Sequence, residues 1–263
     1  MAIRLKTLRA TMLVVFVLPI AARAGLYAAT DHPHSWRDAN WSSTHMLPEA
    51  ASDTPARVMV FAARTGGWKG IFAVHTWVVV KPEGATHYTR YDVMGFGQPV
   101  RTNIHAADAY WFSDRPRLVA DVRGPLAAAA IPKIEAAVKA YPYATYGSYR
   151  VWPGPNSNTF TATLLRAAPE LEIAMPSEAV GRDWRADGAL FGLTPSHTGV
   201  EMSLYGVLGA KLGWVEGMEV DVMGLVAGLD LRHPALKIPC FGRLGVDAVP
   251  IAAANAPHAP KVQ

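Results

Sequence analysis

Cysteine is almost absent from this chain: Cys240 is the only one among 263 residues. A single cysteine excludes an intrachain disulfide, so the fold has to be stabilised by its core and its polar contacts. Cys240 lies in a short loop between Pro239 and Gly242. A lone cysteine in such a place is typically a small buried apolar residue and not a nucleophile.

Charge is also scarce, since only 17% of the residues are Asp, Glu, Lys or Arg. The formal net charge of +4 comes from four residues near the N-terminus, because the 21 basic residues that remain of 25 equal the 21 acidic ones. The body of the chain has no basic excess to attract phosphates, which excludes a nucleic-acid partner. The four N-terminal residues are Arg4, Lys6, Arg9 and Arg23.

The N-terminal residues have the composition of an export signal. Basic residues precede an apolar run over residues 10–22, and Ala22-Arg23-Ala24 fits a small-x-small cleavage site. The run is shorter than the about 20 residues of a comfortable membrane span, although residues 25–29 could extend it into an uncleaved anchor. Both interpretations predict a body that is periplasmic, secreted or tethered to the inner membrane.

The chain is organised around residues 152–160, which read WPGPNSNTF. Two prolines and a glycine predict a fixed loop, after which Asn156 or Ser157 caps a helix that continues through Leu165. A hydroxyl at a helix N-terminus faces unpaired N–H groups and the positive end of the helix dipole, where a nucleophile can be activated. Ser157 is therefore either a capping residue or a nucleophile.

Regular elements are predicted on both sides of an intervening loop region. Alternating apolar residues predict strands over residues 58–62, 71–81 and 86–94. A short helix is predicted to begin at Pro132 and to end at Pro142.

The register of the second and third strands decides which group can assist His75. A three-residue connection at residues 81–83 would place His75 and His87 on one face of the sheet. A two-residue turn at residues 83–84 would instead set His75 opposite Asp92 and turn His87 away. The sequence leaves His87 and Asp92 as alternative partners of His75.

Glycine recurs every few residues from Thr198 onward, between alternating apolar positions, a pattern typical of a β-meander with tight turns. The acidic residues interspersed there predict a solvated acidic face. Together with His197 and His233 they leave a metal hydrolase as a further alternative, although their spacing is not diagnostic of a metal site. The acids are Glu201, Glu216, Glu219, Asp221 and Asp230.

Residues 58–245 resemble an uncharacterised family of bacterial envelope proteins that is known only as a domain of unknown function. The resemblance implies no activity. It rests on GIFAVHTW at residues 70–77, WPGPNSNTF at 152–160, PALK at 234–237 and Gly242-Arg243.

A more distant resemblance is to the circularly permuted papain-like fold of lecithin:retinol acyltransferase and the NlpC-type peptidases. His75 on a strand, His87 twelve residues later and NSNTF at a helix start match the order of that family's motifs. The resemblance implies that His75 is the base, that His87 orients it and that Ser157 is the nucleophile, where the family has cysteine. Because an alcohol cannot be held as a stable anion, His75 would have to act as a general base.

These features predict an α+β fold with a permuted papain-like antiparallel sheet, a nucleophile-bearing helix and a glycine-punctuated β-meander towards the C-terminus. The predicted organisation is a signal peptide or anchor at residues 1–24, an ordered extension at 25–56, a single domain at 57–247 and a disordered tail at 248–263.

The predicted function is that of an exported hydrolase or acyltransferase that acts on an amide or ester of the cell envelope, with no cofactor and no metal. The alternative is an inactive papain-like module that binds an envelope peptide, glycan or lipid in the same cleft. The catalytic candidates are Ser157, His75, His87 and Asp92. The candidates for substrate binding are Trp77, Tyr149, Trp152, Asn156 and Asn158.

Overall fold

The computed structural model describes residues 2–246 and has an α+β architecture with two antiparallel sheets, as the sequence predicts. The predicted tail at residues 248–263 lies outside the described residues.

A helical segment precedes both sheets. It consists of α1 (Ala2–Met12), a π-helical turn (Leu13–Val17) and α2 (Leu18–Ala28). Within residues 2–246, Arg9–Ala28 is the one helical stretch that is long and apolar enough to cross a membrane, which is compatible with a signal sequence or an anchor. The helix thus continues past Arg23 to Ala28, whereas the sequence alone allowed the apolar run either to end at residue 22 or to extend through residues 25–29.

The first sheet has five strands in the order β4-β3-β2-β1-β5. The second strand begins later than the sequence predicts, because Gly67–Ile71 forms a 3-10 helix that reverses the chain before it. The strands are β1 (Arg57–Arg64), β2 (Val74–Lys81), β3 (Thr89–Val93), β4 (Val100–Thr102) and β5 (Arg117–Arg123).

Each face of this sheet is covered by a different part of the chain. On one face, valines of β1 and β2 pack against the helices α3 (Pro125–Lys139) and α4 (Ser157–Arg166). On the other face, Phe61 and Trp77 pack beneath Trp41 of the extension and Trp111. The sheet is therefore buried on both faces, which explains the nearly continuous apolar runs of β1 and β2.

The helix predicted to begin at Pro132 begins instead at Pro125, so that Pro132 lies inside α3. Proline is favoured at the first helical position, and Gly124 precedes it with a positive φ of 73° that ends the preceding strand. The interior proline removes one backbone hydrogen bond. Burial of Ile131 and Ile134 against the sheet retains the helix in spite of that loss.

The second sheet is a meander of seven strands, in which every strand pairs with its neighbour in sequence. Its strands are β6 (Phe191–Leu193), β7 (Gly199–Leu204), β8 (Leu208–Gly213), β9 (Gly217–Val222), β10 (Leu225–Asp230), β11 (Ala235–Ile238) and β12 (Gly242–Gly245). The predicted β-meander is confirmed.

The prediction of a solvated acidic face on this meander is wrong, because most of its acids point towards the body of the protein. Glu201, Glu219 and Asp221 are buried, as is Glu216. Burial of Glu201 and Glu219 is possible because basic groups meet them there. Glu216 instead accepts hydrogen bonds from the N–H and the hydroxyl of Ser196, and burial raises the pKa of Asp221 to about 8. The ion pairs are Arg166–Glu201 at 2.6 Å, Arg185–Glu201 at 2.8 Å, Lys211–Asp183 at 2.5 Å, Lys237–Glu219 at 2.5 Å and Arg182–Glu219.

In an ordinary amphipathic sheet, replacing an apolar residue lowers stability more than replacing its charged neighbour does. We expect the reverse for Lys211 and Leu212, which are neighbours in β8. Lys211→Met should lower the free energy of unfolding by about 3 kcal/mol, because it removes the buried ammonium group that lies 2.5 Å from Asp183 and 3.4 Å from Glu201 and leaves an excess of buried negative charge. Leu212→Gln, on the exposed face, should change it by no more than about 0.5 kcal/mol.

Urea unfolding of the full chain in a nonionic detergent, followed by tryptophan fluorescence, measures both values. A larger loss of stability in Leu212→Gln than in Lys211→Met would contradict the assignment of the inner and outer faces.

Candidate functional site

A cavity of about 430 Å³ opens at the N-terminal end of β2. Ser157 and His75 both line it. Most of the remaining wall is apolar, with contributions from the 3-10 helix before β2, the loop before α4 and the turn between β9 and β10. The apolar lining residues include Trp68, Phe72, Val74, Val151, Met223 and Leu225.

Ser157 is the first residue of α4, and Asn156 is the cap. The Asn156 side chain accepts hydrogen bonds from the N–H groups of Asn158 and Thr159, and the Thr159 hydroxyl accepts one from the Asn156 N–H in return. This capping box satisfies the first turn without the Ser157 hydroxyl. The capping role that the sequence left open for Ser157 therefore belongs to Asn156.

His75 is held by a buried chain of charges. Its Nε2 lies 2.7 Å from Oδ1 of Asp92, while Oδ2 of Asp92 accepts two hydrogen bonds from the Arg90 guanidinium at 2.8 and 2.6 Å. All three side chains are buried. Because both carboxylate oxygens are occupied, the carboxylate and with it the imidazole have a fixed orientation.

Aromatic rings enclose this chain of charges. The His75 ring stacks on Trp111 with centroids 3.6 Å apart and planes 2° apart, and the Arg90 guanidinium lies 4.0 Å from the centroid of the Trp77 ring. Flat contact with aromatic faces stabilises the guanidinium and prevents rotation of the imidazole.

The surroundings of His75 and Asp92 favour a neutral base beside an anionic partner. Burial lowers the pKa of His75 and outweighs the attraction of the Asp92 carboxylate. Burial alone would raise the pKa of Asp92, but the charges of Arg90 and His75 and their hydrogen bonds hold it at about 2. A neutral imidazole oriented by a carboxylate is the state that a general base requires near pH 7.

His75 and Ser157 reach the cavity from different layers. The His75 ring lies among the tryptophans on one face of the first sheet, whereas α4 packs on the other face. Among the described residues, neither Nδ1 of His75 nor the Ser157 hydroxyl has a hydrogen-bond partner, and neither is sealed from solvent. Both atoms are thus free to meet a molecule in the cavity.

The alternative in which His87 assists His75 is not the arrangement observed. Strand β3 pairs with β2 so that Val79 lies opposite Arg90, which puts Asp92 on the His75 face and leaves a seven-residue connection at residues 82–88. His87 falls in that connection, is exposed, and contacts the Thr86 hydroxyl. Asp92 is therefore the partner of His75.

The predicted substrate-binding residues divide into two groups. Tyr149 and Trp152 line the cavity, and the Trp152 indole donates to the Met223 carbonyl. Asn156 and Asn158 also line it, but their side chains are engaged in bonds to the protein itself.

Trp77, which the sequence predicts to bind substrate, does not line the cavity. Its ring is fully buried on one face of the first sheet, and its indole donates to the Ala107 carbonyl at 2.8 Å. The alternation of β2 places Trp77 on the His75 face, but two residues deeper in the sheet than the cavity.

Two residues essential to this geometry were not singled out from the sequence. Arg90 could have been found, because it lies two residues before Asp92 and period-two alternation puts both on one face. Trp111 lies in an irregular segment that contacts His75 only in the tertiary fold, and no local pattern indicates it.

The described residues include no group of three or more His, Cys, Asp or Glu side chains that could hold a metal ion. His197 and His233, which the sequence raised as ligands, belong to no such group.

Residues 55–184 match a family described as a protein of unknown function, DUF3750. This part of the chain contains the first sheet, α3, α4 and the cavity's polar residues. The resemblance to a domain of unknown function is thus confirmed over residues 55–184. No curated protein and no solved structure matches the chain. The likeness to papain-like enzymes stays a prediction.

The environment of His75 leads to a testable titration. The pKa of His75 should lie below its ordinary value of 6.5, because burial disfavours the imidazolium. A histidine with a lowered pKa binds fewer protons when folded, so its contribution to stability is present above pH 6.5 and is lost as the pH falls. In Asp92→Asn the pKa should fall further, since the attractive charge is lost and Arg90 remains.

NMR of ring-labelled histidine across pH 4–8, with His75→Gln to assign the signal, measures both titrations. A pKa above 6.5 in the native chain, or an increase in Asp92→Asn, would contradict this account of the site.

Proposed function

We propose that the chain is an exported hydrolase or acyltransferase that cleaves an amide or ester of the cell envelope through Ser157. The observation that carries the proposal is the cavity itself, which is lined both by Ser157 at a helix start and by a carboxylate-bound histidine. Among the described residues, the Ser157 hydroxyl and Nδ1 of His75 have no hydrogen-bond partner. The apolar N-terminal helix supports export or anchoring in the inner membrane. The chain order of histidine before nucleophile supports the permuted papain-like arrangement.

In the proposed reaction, Nδ1 of His75 accepts the hydroxyl proton as Oγ of Ser157 forms a bond to the acyl carbon. The C–N or C–O bond of the substrate then breaks, and the imidazolium gives its proton to the departing amine or alcohol. Water, or an acceptor alcohol or amine, attacks the acyl-serine in the second half, with His75 again as base. Asp92 keeps the imidazole in one tautomer and stabilises its positive charge.

The developing oxyanion would have one backbone donor at the start of α4. Asn156 already occupies the N–H groups of Asn158 and Thr159, and the Phe160 N–H bonds the Asn156 carbonyl. The Ser157 N–H is the first-turn donor that remains. Its position at the positive end of the helix dipole suits an anion.

The alternative function is a binding module without catalysis. It is favoured by the placement of the imidazole and α4 on opposite faces of the sheet, with no direct hydrogen bond between His75 and Ser157. In that case the apolar wall formed by residues such as Phe72 and Trp152 would supply most of the contact with a peptide, glycan or lipid.

A fluorophosphonate probe tests the catalytic proposal directly. We expect it to label the full chain at Ser157 and to give no label in Ser157→Ala. Labelling should slow by at least about a hundredfold in His75→Gln and in Asp92→Asn, because general-base assistance is worth that much or more. Mass spectrometry of the labelled peptide identifies the site.

Two control variants distinguish loss of the proposed active site from a nonspecific loss of labelling. His87→Ala and Ser52→Ala, both exposed and outside the cavity, should retain the native labelling rate. Absence of labelling in a native chain with an intact near-UV circular dichroism spectrum would refute the hydrolase and leave the binding module.

A further inference from the structure

The outer face of the seven-stranded sheet is apolar without interruption. One row of directly paired residues crosses all seven strands, and each member is exposed by 43 to 65%. No outward position of β7, β8 or β9 carries a charged or polar side chain. In chain order from β6 to β12, the row is Leu193, Val200, Leu212, Met218, Leu229, Leu236 and Leu244.

The register of the sheet is fixed by its other face. A shift of one residue would exchange the two faces, and it would bring Lys211, Glu201 and their ion pairs to the surface. Those charges are buried and paired with groups of the body. The apolar outer face is thus a consequence of the inner ion pairs and not of a misplaced strand.

The size of this apolar face indicates that another molecule covers it when the protein functions. Seven strands at about 4.8 Å spacing make it roughly 30 Å wide, and six residues make it roughly 20 Å long. An area of about 600 Å² is at the upper end of the apolar patches that soluble monomers expose.

The chemistry of the face favours lipid acyl chains over a protein as its binding partner. A protein interface ordinarily includes hydrogen bonds, about one for every 100–200 Å², and a polar rim. The outward side chains of the central strands offer neither donors nor acceptors, whereas acyl chains require none. Aromatic side chains suited to the membrane interface stand at opposite ends of the hairpins, with Tyr205 after β7 and Trp214 after β8, each more than half exposed.

The N-terminal helix lies beside the sheet that exposes the apolar face. Its residues Leu13–Val17 lie against β10, and α2 lies against the 3-10 helix Gly67–Ile71 at the mouth of the cavity. The stretch that is long and apolar enough to cross a membrane is therefore in contact with the sheet that exposes the apolar face.

We propose that the outer face of the seven-stranded sheet binds the surface of the lipid bilayer. The sheet lies in the plane of the interface, with its apolar row among the upper acyl chains. It does not span, because β6 and β12 are edge strands among residues 2–246 and their outer backbone groups cannot enter hydrocarbon unpaired. This inference is independent of the proposed catalytic role of Ser157.

Single-cysteine labelling tests the proposal in the full chain. In a Cys240→Ala background, Leu212→Cys and Leu236→Cys report on the outer face, and Glu83→Cys, in the exposed connection before β3, is the matched control. Each is labelled with an NBD fluorophore and reconstituted in vesicles of phosphatidylethanolamine and phosphatidylglycerol, with or without lipids that carry a nitroxide high on the acyl chain.

We expect the two outer-face probes to shift to shorter wavelength and to lose roughly half or more of their intensity to the nitroxide lipids, since an interfacial surface lies about 5–10 Å deep. The Glu83→Cys probe should be quenched by aqueous iodide instead. Quenching of the outer-face probes by iodide would overturn the proposal. Protection from both quenchers, with cross-linking between two copies through Leu212→Cys, would show that a second chain covers the face and would overturn it equally.

Discussion

The start of α4 is fixed to the first sheet by the side chain of Asn158, and the shape of the cavity depends on that link. The Asn158 amide donates to the Val74 and Val180 carbonyls at 2.9 and 2.8 Å, and its oxygen accepts from the Thr76 hydroxyl at 2.8 Å. One buried side chain thus joins a strand, a helix start and a distant loop. Loss of this amide would leave buried carbonyls without donors, and each of them would lower the free energy of unfolding by about 1–3 kcal/mol.

This link also explains why Ser157 remains free. Asn156 and Asn158 together take up the backbone groups around them, so that the residue between them has no structural bond to make through its side chain. A serine at the first position of a helix ordinarily needs no functional explanation. Here Ser157 lines a cavity together with His75, whose Nδ1 likewise has no hydrogen-bond partner among the described residues.

The elements with strong local signals could be predicted from the sequence. The helix after residues 152–156, the strands of the first sheet and the glycine-punctuated meander all follow from capping residues, alternation and turn residues. The partner of His75 could not be chosen, because the connection between β2 and β3 is long and is held by a tertiary contact: the Gly84 N–H donates to the Thr54 carbonyl. Turn rules apply to local hairpins and give no register for such a loop.

The sequence also could not tell which face of the meander is buried. Alternation separates apolar from charged residues, and the usual expectation is that the apolar set lies inside. Here the inner face meets Arg166, Arg182 and Arg185, which come from a segment outside the meander. The orientation was decided by these partners, whose position in space no periodicity reveals.

The apolar face and the cavity are continuous in the fold, and this connects their chemistry. The turn between β9 and β10 contributes Met223 and Leu225 to the cavity wall, and Leu225 pairs across the sheet with Val222 on the outer face. A bilayer that covers the face would therefore lie beside the mouth of the cavity. A substrate with an acyl chain could then move from lipid to the neighbourhood of Ser157 along apolar surface throughout, whereas a water-soluble peptide would gain nothing from that path. Under the proposed hydrolase or acyltransferase function, the placement of the sheet would favour a lipid ester or amide as the substrate.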